Sequence, residues 1–172
     1  MRSFVLLAAS ALLTLTGCGY HALGSATHLP PGIRILAVPV FTTHMDTYHT
    51  ETVMTDAVIR EFASRSSFRV TPDATQNPDA ILHGTILAEV ASPLTYNAST
   101  QETSSFLITI AVAVKLTDRD GKVLYQNDHY IYREQYQSTA DLPTFLREDP
   151  AAVQRLSRNF ARQLVDDIMA GF

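Results

Sequence analysis

The chain has 172 residues, of which 46% are hydrophobic and 17% are charged, and its formal net charge at pH 7 is −4. This composition is typical of one globular domain with a sizeable core and excludes an intrinsically disordered chain. The acidic balance also excludes a general nucleic-acid-binding surface, so an anionic ligand must meet a local basic patch.

The first element is a short apolar run, Phe4 to Thr16, that begins just after Met1-Arg2. It is shorter than the roughly 20 residues of a membrane-spanning helix, and its basic start and small-residue end are typical of a secretory signal. The run closes on Leu15-Thr16-Gly17-Cys18, which resembles the bacterial lipobox. We expect residues 1–17 to be a lipoprotein signal peptide and Cys18 to become the lipidated N-terminus; the alternative is a plain signal with a chance cysteine.

Cys18 is the only cysteine of the chain, so it has no partner for an intramolecular disulfide. We expect it to carry a covalent N-acyl group and S-diacylglycerol. Each buried methylene contributes about 0.8 kcal/mol, so several acyl chains anchor a protein stably. Residue 19 is Gly and not the Asp that favours retention in the inner membrane, which predicts the periplasmic side of the outer membrane.

After the cysteine, small and polar residues and a Pro-Pro pair predict an extended tether over residues 18–32, followed by a single domain over 33–172. Alternating apolar residues predict a first strand over Ile33 to Phe41, with Pro39 near an edge or end. An amphipathic helix is predicted from Thr50 to Ser66 and a short strand from Phe68 to Thr71. The helix prediction rests on apolar residues at helical spacing: Val53, Met54, Ala57, Val58 and Phe62.

Two stronger strands follow. Ala80 to Ala91 places Leu82, Ile86, Ala88 and Val90 on an apolar face and His83, Thr85 and Glu89 on the other. In Phe106 to Leu116 every even position is apolar, which predicts a deeply buried face.

The sequence Asp118-Arg119-Asp120-Gly121 predicts a tight hairpin into a strand from Val123 to Tyr136. A last helix is predicted from about Pro150 to Ala170, with the proline in its first turn. Its apolar stripe is Val153, Leu156, Phe160, Leu164 and Ile168. The order of elements predicts an α+β fold in which two helices pack on one face of a mixed, mainly four-stranded sheet.

Two groups of residues are candidates for partner contacts. Arg155, Arg158 and Arg162 form a basic ridge opposite the apolar stripe of the last helix; it either meets a partner or is a solvated face, in which Arg162 can pair with Asp166. The strand after the hairpin is rich in tyrosine, and Tyr130 and Tyr132 are the partner-contact candidates. Ordinary strand packing is the alternative.

No pattern in the sequence indicates catalysis. His44 and His49, with Asp46 and Glu51 nearby, lack the spacing of a zinc motif, and the Asp118 to Gly121 turn lacks the glutamate that completes a calcium loop. There is no Gly-x-Ser-x-Gly sequence, and Cys18 is not available as a nucleophile once it is acylated. We therefore expect no enzymatic activity, no metal and no cofactor.

In its order of motifs the chain resembles the LptE family of lipopolysaccharide-assembly lipoproteins. The resemblance implies a lipoprotein lodged inside a large outer-membrane β-barrel of the LptD type, where it acts as plug and assembly partner while lipopolysaccharide passes to the outer leaflet. The acid precedes the alanine of the second-strand motif, where the family has the reverse order. The similar pieces are Cys18-Gly19-Tyr20-His21-Ala22-Leu23-Gly24, Val38-Pro39-x-Phe41, Asp79-Ala80-x-Leu82-x-Gly84, the hairpin Leu116 to Leu124, and the terminal helix.

The resemblance also implies contact with the phosphorylated head of lipopolysaccharide through basic residues in the loop between the second and third strands and before the last helix. Here Arg147 stands before the helix, but Ser92 to Thr103 contains no Arg or Lys, and Tyr96 and Asn97 occupy the loop tip. Two alternatives stay open: a free periplasm-facing lipoprotein that binds a lipid or small ligand, and an envelope scaffold.

Overall fold

The computed structural model describes residues 32–43, 49–96, 103–137 and 142–170. The predicted α+β fold with two helices and a mixed sheet is confirmed, although the sheet has six strands and not mainly four. In chain order the elements are β1 (Ile35–Ala37), β2 (Thr42–Thr43), α1 (Thr50–Arg65), β3 (Arg69–Thr71), β4 (Ala80–Tyr96), β5 (Thr103–Asp118), β6 (Val123–Gln137) and α2 (Leu142–Ala170). Neither helix is both long enough and apolar enough over these residues to cross a membrane.

The sheet has the strand order β3-β1-β4-β5-β6, and β2 lies beside β4. The short strands pair in parallel, β1 with β3 and β4, and β2 with β4, whereas β4, β5 and β6 form an antiparallel meander. The parallel pairing of β1 and β3 requires a crossover, and α1 provides it. Both helices run in the same direction, since Ala57 lies near Ser157 while Arg65 pairs with Asp166 further along.

The core lies between the sheet and the helices. The even positions of β5 from Ile108 to Leu116 are all buried, as predicted, and the predicted stripe of α2 is buried against them. The largest side chains of this core include Phe62 of α1, Phe160 of α2 and Leu82 of β4. Since these residues come from every layer, the two helices and the sheet share one hydrophobic core.

A β-bulge in β4 changes which residues face the core. The pairing with β5 shifts between Ile86 and Ala88, so the bulge adds one residue and exchanges the two faces beyond it. Val90 is consequently 53% exposed, and Glu89 turns toward α1, where it accepts a hydrogen bond of 3.2 Å from the Thr50 hydroxyl. The prediction that Ala88 and Val90 lie on the apolar face and Glu89 on the opposite one is therefore wrong.

The first predicted strand is split into β1 and β2 by residues 38–41. Pro39 lies in this interruption, because it has no N–H group to donate to a neighbouring strand. The prediction of Pro39 near a strand end is confirmed, but a continuous strand from Ile33 to Phe41 is not. At the other end of the chain α2 begins at Leu142, eight residues before Pro150, which lies inside the helix. The prediction of Pro150 in the first turn is therefore wrong, because two turns of helix already precede the proline.

Phe41 packs directly on Gly84 of β4. A Cβ atom at Gly84 would lie 2.4 Å from the phenyl ring, so only glycine fits below it. The same ring meets Phe160 of α2 edge to face at 6.1 Å, and the Phe41 backbone N–H donates a 2.9 Å hydrogen bond to the Thr55 hydroxyl of α1. One residue thus joins β4, α1 and α2.

The predicted hairpin between β5 and β6 is confirmed. The Asp118 carboxylate accepts hydrogen bonds from the N–H groups of Asp120, at 3.0 Å, and Lys122, at 2.9 Å. Gly121 has φ of +81°, a conformation that favours glycine. Local hydrogen bonding and backbone freedom together fix the turn.

Gly84→Ala is expected to destabilise the protein by about 1–3 kcal/mol, because the added methyl group must displace the Phe41 ring from a close-packed core. Urea unfolding followed by circular dichroism measures the change. In a Phe41→Leu background the cost should fall by at least about 1 kcal/mol, because coupled neighbours are not additive. Equal costs in both backgrounds would contradict this account of the glycine.

Candidate functional site

The predicted head-group residues fall at one end of the sheet. β4 ends there at Tyr96, β5 starts there, β6 ends there, and α2 begins just beyond. The first turns of α2, which contain Arg147, therefore lie at the same end as Tyr96, whereas Asn97 lies outside the described residues. The topology thus brings the β4–β5 connection and the start of α2 to one end of the domain, which we call the distal end.

The chain enters the sheet at the opposite end, where Asp79 ties three segments together. Its carboxylate accepts hydrogen bonds of 2.9 Å from the backbone N–H groups of Arg34 and Ile35, and it lies 2.7 Å from the Arg119 guanidinium of the hairpin. The two backbone hydrogen bonds hold the pKa of Asp79 below its usual value, with Arg119 adding to the effect. The sequence motif Asp79-Ala80 therefore has a structural role at the start of β4.

The basic ridge of α2 divides into one paired and two exposed arginines. The Arg155 guanidinium lies 2.6 Å from the Glu134 carboxylate of β6. Arg158 and Arg162 are exposed, and neither forms an ion pair with a described residue. Asp166, which the sequence offers as a partner for Arg162, instead pairs with Arg65 of α1 at 2.5 Å. The exposed part of the ridge is thus Arg158 and Arg162.

Tyr130 and Tyr132 of β6 pack against α2. Tyr130 is 6% exposed, and Tyr130 and Tyr132 both meet the Phe160 ring edge to face, at 5.5 and 5.6 Å. The Tyr130 hydroxyl donates to Asp167 of α2 at 2.5 Å and lies 2.6 Å from the Tyr125 hydroxyl. For Tyr130 this packing favours ordinary strand packing over contact with a partner protein.

Burial changes the acidity of these phenols. Loss of hydration raises the pKa of Tyr132 to about 12 and also raises the pKa of Tyr130, whose proton is further held by the bond to Asp167. No sequence pattern links Tyr130 to Asp167, because the two residues are 37 positions apart and meet only through the packing of α2 on β6.

A cleft of about 320 Å³ opens between the two helices on the side away from the sheet core. Small residues on both helices, Ala57 and Ser157, leave this space, and the Ser157 hydroxyl turns back to the Val153 carbonyl at 2.7 Å. Charged side chains from both helices line it, which no single-helix pattern in the sequence indicates. The lining is Val53, Asp56, Ala57, Arg60, Gln154, Ser157 and Arg158.

Metal ligands do not gather in the part of the chain that the structure describes: no group of three or more His, Cys, Asp or Glu side chains is placed to hold an ion there. Of the histidine candidates, His49 precedes α1, and His44 and Asp46 lie outside the described residues.

Comparison with known proteins gives a family and a fold. A family model described as LptE, lipopolysaccharide-assembly, matches residues 33–168. No curated protein matches the chain in sequence.

Several solved structures share the fold at low sequence identity. Uncharacterized lipoprotein B from Nitrosomonas europaea aligns with a TM-score of 0.57 and 14% identity, over 88% of this chain and 91% of that one. A minor lipoprotein from Acinetobacter baumannii gives 0.50 and 16%, over 82% and 94%. A DUF330 protein from Xanthomonas campestris gives 0.53 and 15%, over 81% and 85%.

The stability of the protein is expected to fall as the pH rises above about 10. The folded state keeps the Tyr130 proton to a higher pH than the unfolded state, whose tyrosines titrate near 10, so the stabilisation is complete below pH 10 and lost above it. Tyr130→Phe should make the fall of unfolding free energy less steep by up to about 1.4 kcal/mol per pH unit. Urea titrations from pH 8 to 12 measure both slopes; identical slopes would contradict the prediction.

Proposed function

The chain belongs to the LptE, lipopolysaccharide-assembly, family, and from this membership we propose that it is an outer-membrane lipoprotein acting as plug and assembly partner of a large β-barrel of the LptD type. The observation that carries the proposal is the extent of the family match, since residues 33–168 contain every described strand and nearly all of α2. The role is one of binding and assembly and not of catalysis.

The uncovered face of the sheet supports a partner of this size. In the middle of the sheet Ala88, Ala111 and Ile131 pair across three strands, on the face opposite the helices. Two large apolar side chains on this face are each 53% exposed: Ile131 of the row itself, and Val90, two residues beyond Ala88 on β4. Exposed apolar groups that cluster in this way mark interaction surfaces more often than isolated ones do. With the exposed Arg162 on the other side, the domain offers contacts to a surrounding partner from two faces.

The lipid anchor and the head-group contact complete the proposal. Acylated Cys18 holds the protein to the periplasmic side of the outer membrane. The distal end contacts the lipopolysaccharide head group through Arg147, aided by Tyr96 and Asn97. Support for this contact is the topology, which brings the start of α2 and the end of β4 to one end of the domain.

The plug role is tested by mild-detergent purification of the C-terminally tagged protein from its native membranes. We expect one large β-barrel protein at about one-to-one stoichiometry. Cys18→Ala serves as the control for anchoring: it should shift the protein out of the outer-membrane fraction. Recovery of the anchored protein alone would contradict the plug role and favour the ligand-binding lipoprotein.

The head-group contact is tested by Arg147→Glu. Charge reversal should weaken binding of fluorescent lipopolysaccharide at least about fivefold, because a phosphate then faces a carboxylate in place of a guanidinium. Arg162→Glu is the matched control, since it changes the same charge on the same helix far from the distal end. Binding of the Arg147→Glu protein at wild-type strength would remove Arg147 from the proposal.

A further inference from the structure

We propose that the cleft between α1 and α2 binds a phosphate ester, with Arg60 and Arg158 holding the phosphate group. The cleft lies on the helical side of the domain, away from the distal end, so it is a second site and not part of the proposed head-group contact. It would exist whether or not the protein is lodged in a barrel.

The shape of the cleft follows from the packing of the two parallel helices. Further along, the helices are held together by the ion pair of Arg65 and Asp166, at 2.5 Å. Between Val53–Arg60 and Gln154–Arg158 the small, buried side chains of Ala57 and Ser157 form the floor of the cleft, and the longer side chains on either side form its walls. The opening is therefore a fixed consequence of the residue sizes, and its 320 Å³ is within the range of pockets for small ligands.

Charge makes the cleft selective for an anion. Arg65, Arg119 and Arg155 each lie within 3.3 Å of a carboxylate. Arg60 and Arg158 differ from these three, because neither has a carboxylate within ion-pair distance among the described residues. Arg162 shares this property but does not line the cleft. Two guanidinium groups that line one cleft repel each other, and an anion between them removes this repulsion.

The other lining groups favour a phosphate ester over a simple anion. A guanidinium group matches phosphate oxygens with two parallel N–H donors, and the Gln154 amide can add a further donor. Asp56 offers a carboxylate that only accepts hydrogen bonds, so it suits a hydroxyl of the ligand and disfavours a second phosphate. Val53 and Ala57 give an apolar wall for the carbon skeleton. A phosphate monoester with a hydroxylated body satisfies all of these groups.

The test uses the full protein purified from membranes in mild detergent, titrated with glycerol 3-phosphate and followed by NMR of the arginine side-chain N–H resonances. We expect saturable shifts for two arginines. Arg158→Gln and Arg60→Gln should each weaken binding at least tenfold. Arg162→Gln is the matched control, one turn beyond Arg158 on the same helix and outside the cleft, and should change binding less than twofold.

Gln154→Glu gives a second route that leaves both arginines in place. This exposed substitution adds a negative charge to the lining and should abolish binding with the thermal unfolding midpoint unchanged. No saturable shift in the wild type, or equal weakening by Arg162→Gln and Arg158→Gln, would overturn the proposal.

A second experiment, with lipid vesicles, distinguishes a lipid head group from a soluble phosphate ester. Vesicles of phosphatidylcholine with or without phosphatidic acid are floated with the Cys18→Ala protein, which lacks the acyl chains that would anchor it to any vesicle, and with the same protein carrying Arg158→Gln or Arg162→Gln. Flotation that needs phosphatidic acid and is lost only in Arg158→Gln identifies a lipid head group as the ligand. Binding of glycerol 3-phosphate without this flotation identifies a soluble ester, and either result supports the site.

Discussion

The contact between the Phe41 ring and the bare backbone of Gly84 is the constraint on which the arrangement of the layers depends. Phe41 leaves the interrupted first strand, lies on β4, meets Phe160 of α2 and is held by Thr55 of α1. A larger residue at position 84 would push the ring out of this position. The packing of both helices on the sheet therefore depends on the absence of a single Cβ atom.

Much of the fold could be predicted from periodicity, because most elements bury one continuous face. β5 and α1 are examples, since their apolar residues recur at strand and helix spacing without interruption. The errors arose where a tertiary effect overrides the local pattern. A bulge near Leu87 adds one residue and exchanges the faces of β4, so Val90 faces solvent and Glu89 faces the helices. Pro150 resembles a helix start, yet α2 already exists when the chain reaches it.

The site residues were harder to predict than the elements that carry them. Asp79 was visible as part of a motif, but its role is to accept two backbone N–H groups across the sheet, which no local spacing encodes. The bond between Tyr130 and Asp167 and the pairing of Arg65 with Asp166 join residues far apart in sequence. Long-range polar contacts depend on how helices dock, and periodicity carries no information about that docking.

The placement of the chain entry has a geometric consequence for a protein tethered at its N-terminus. Leu36 pairs with Ala80, so the chain enters level with the start of β4, and the 17 residues of that strand carry Tyr96 about 50 Å away. The 15 positions from 18 to 32 can span at most about 50 Å more. With Cys18 lipidated as proposed, the tether is about as long as the domain, so the anchor sets only a radius of about 100 Å within which the outer pole can lie, and the orientation of the domain has to come from its partner.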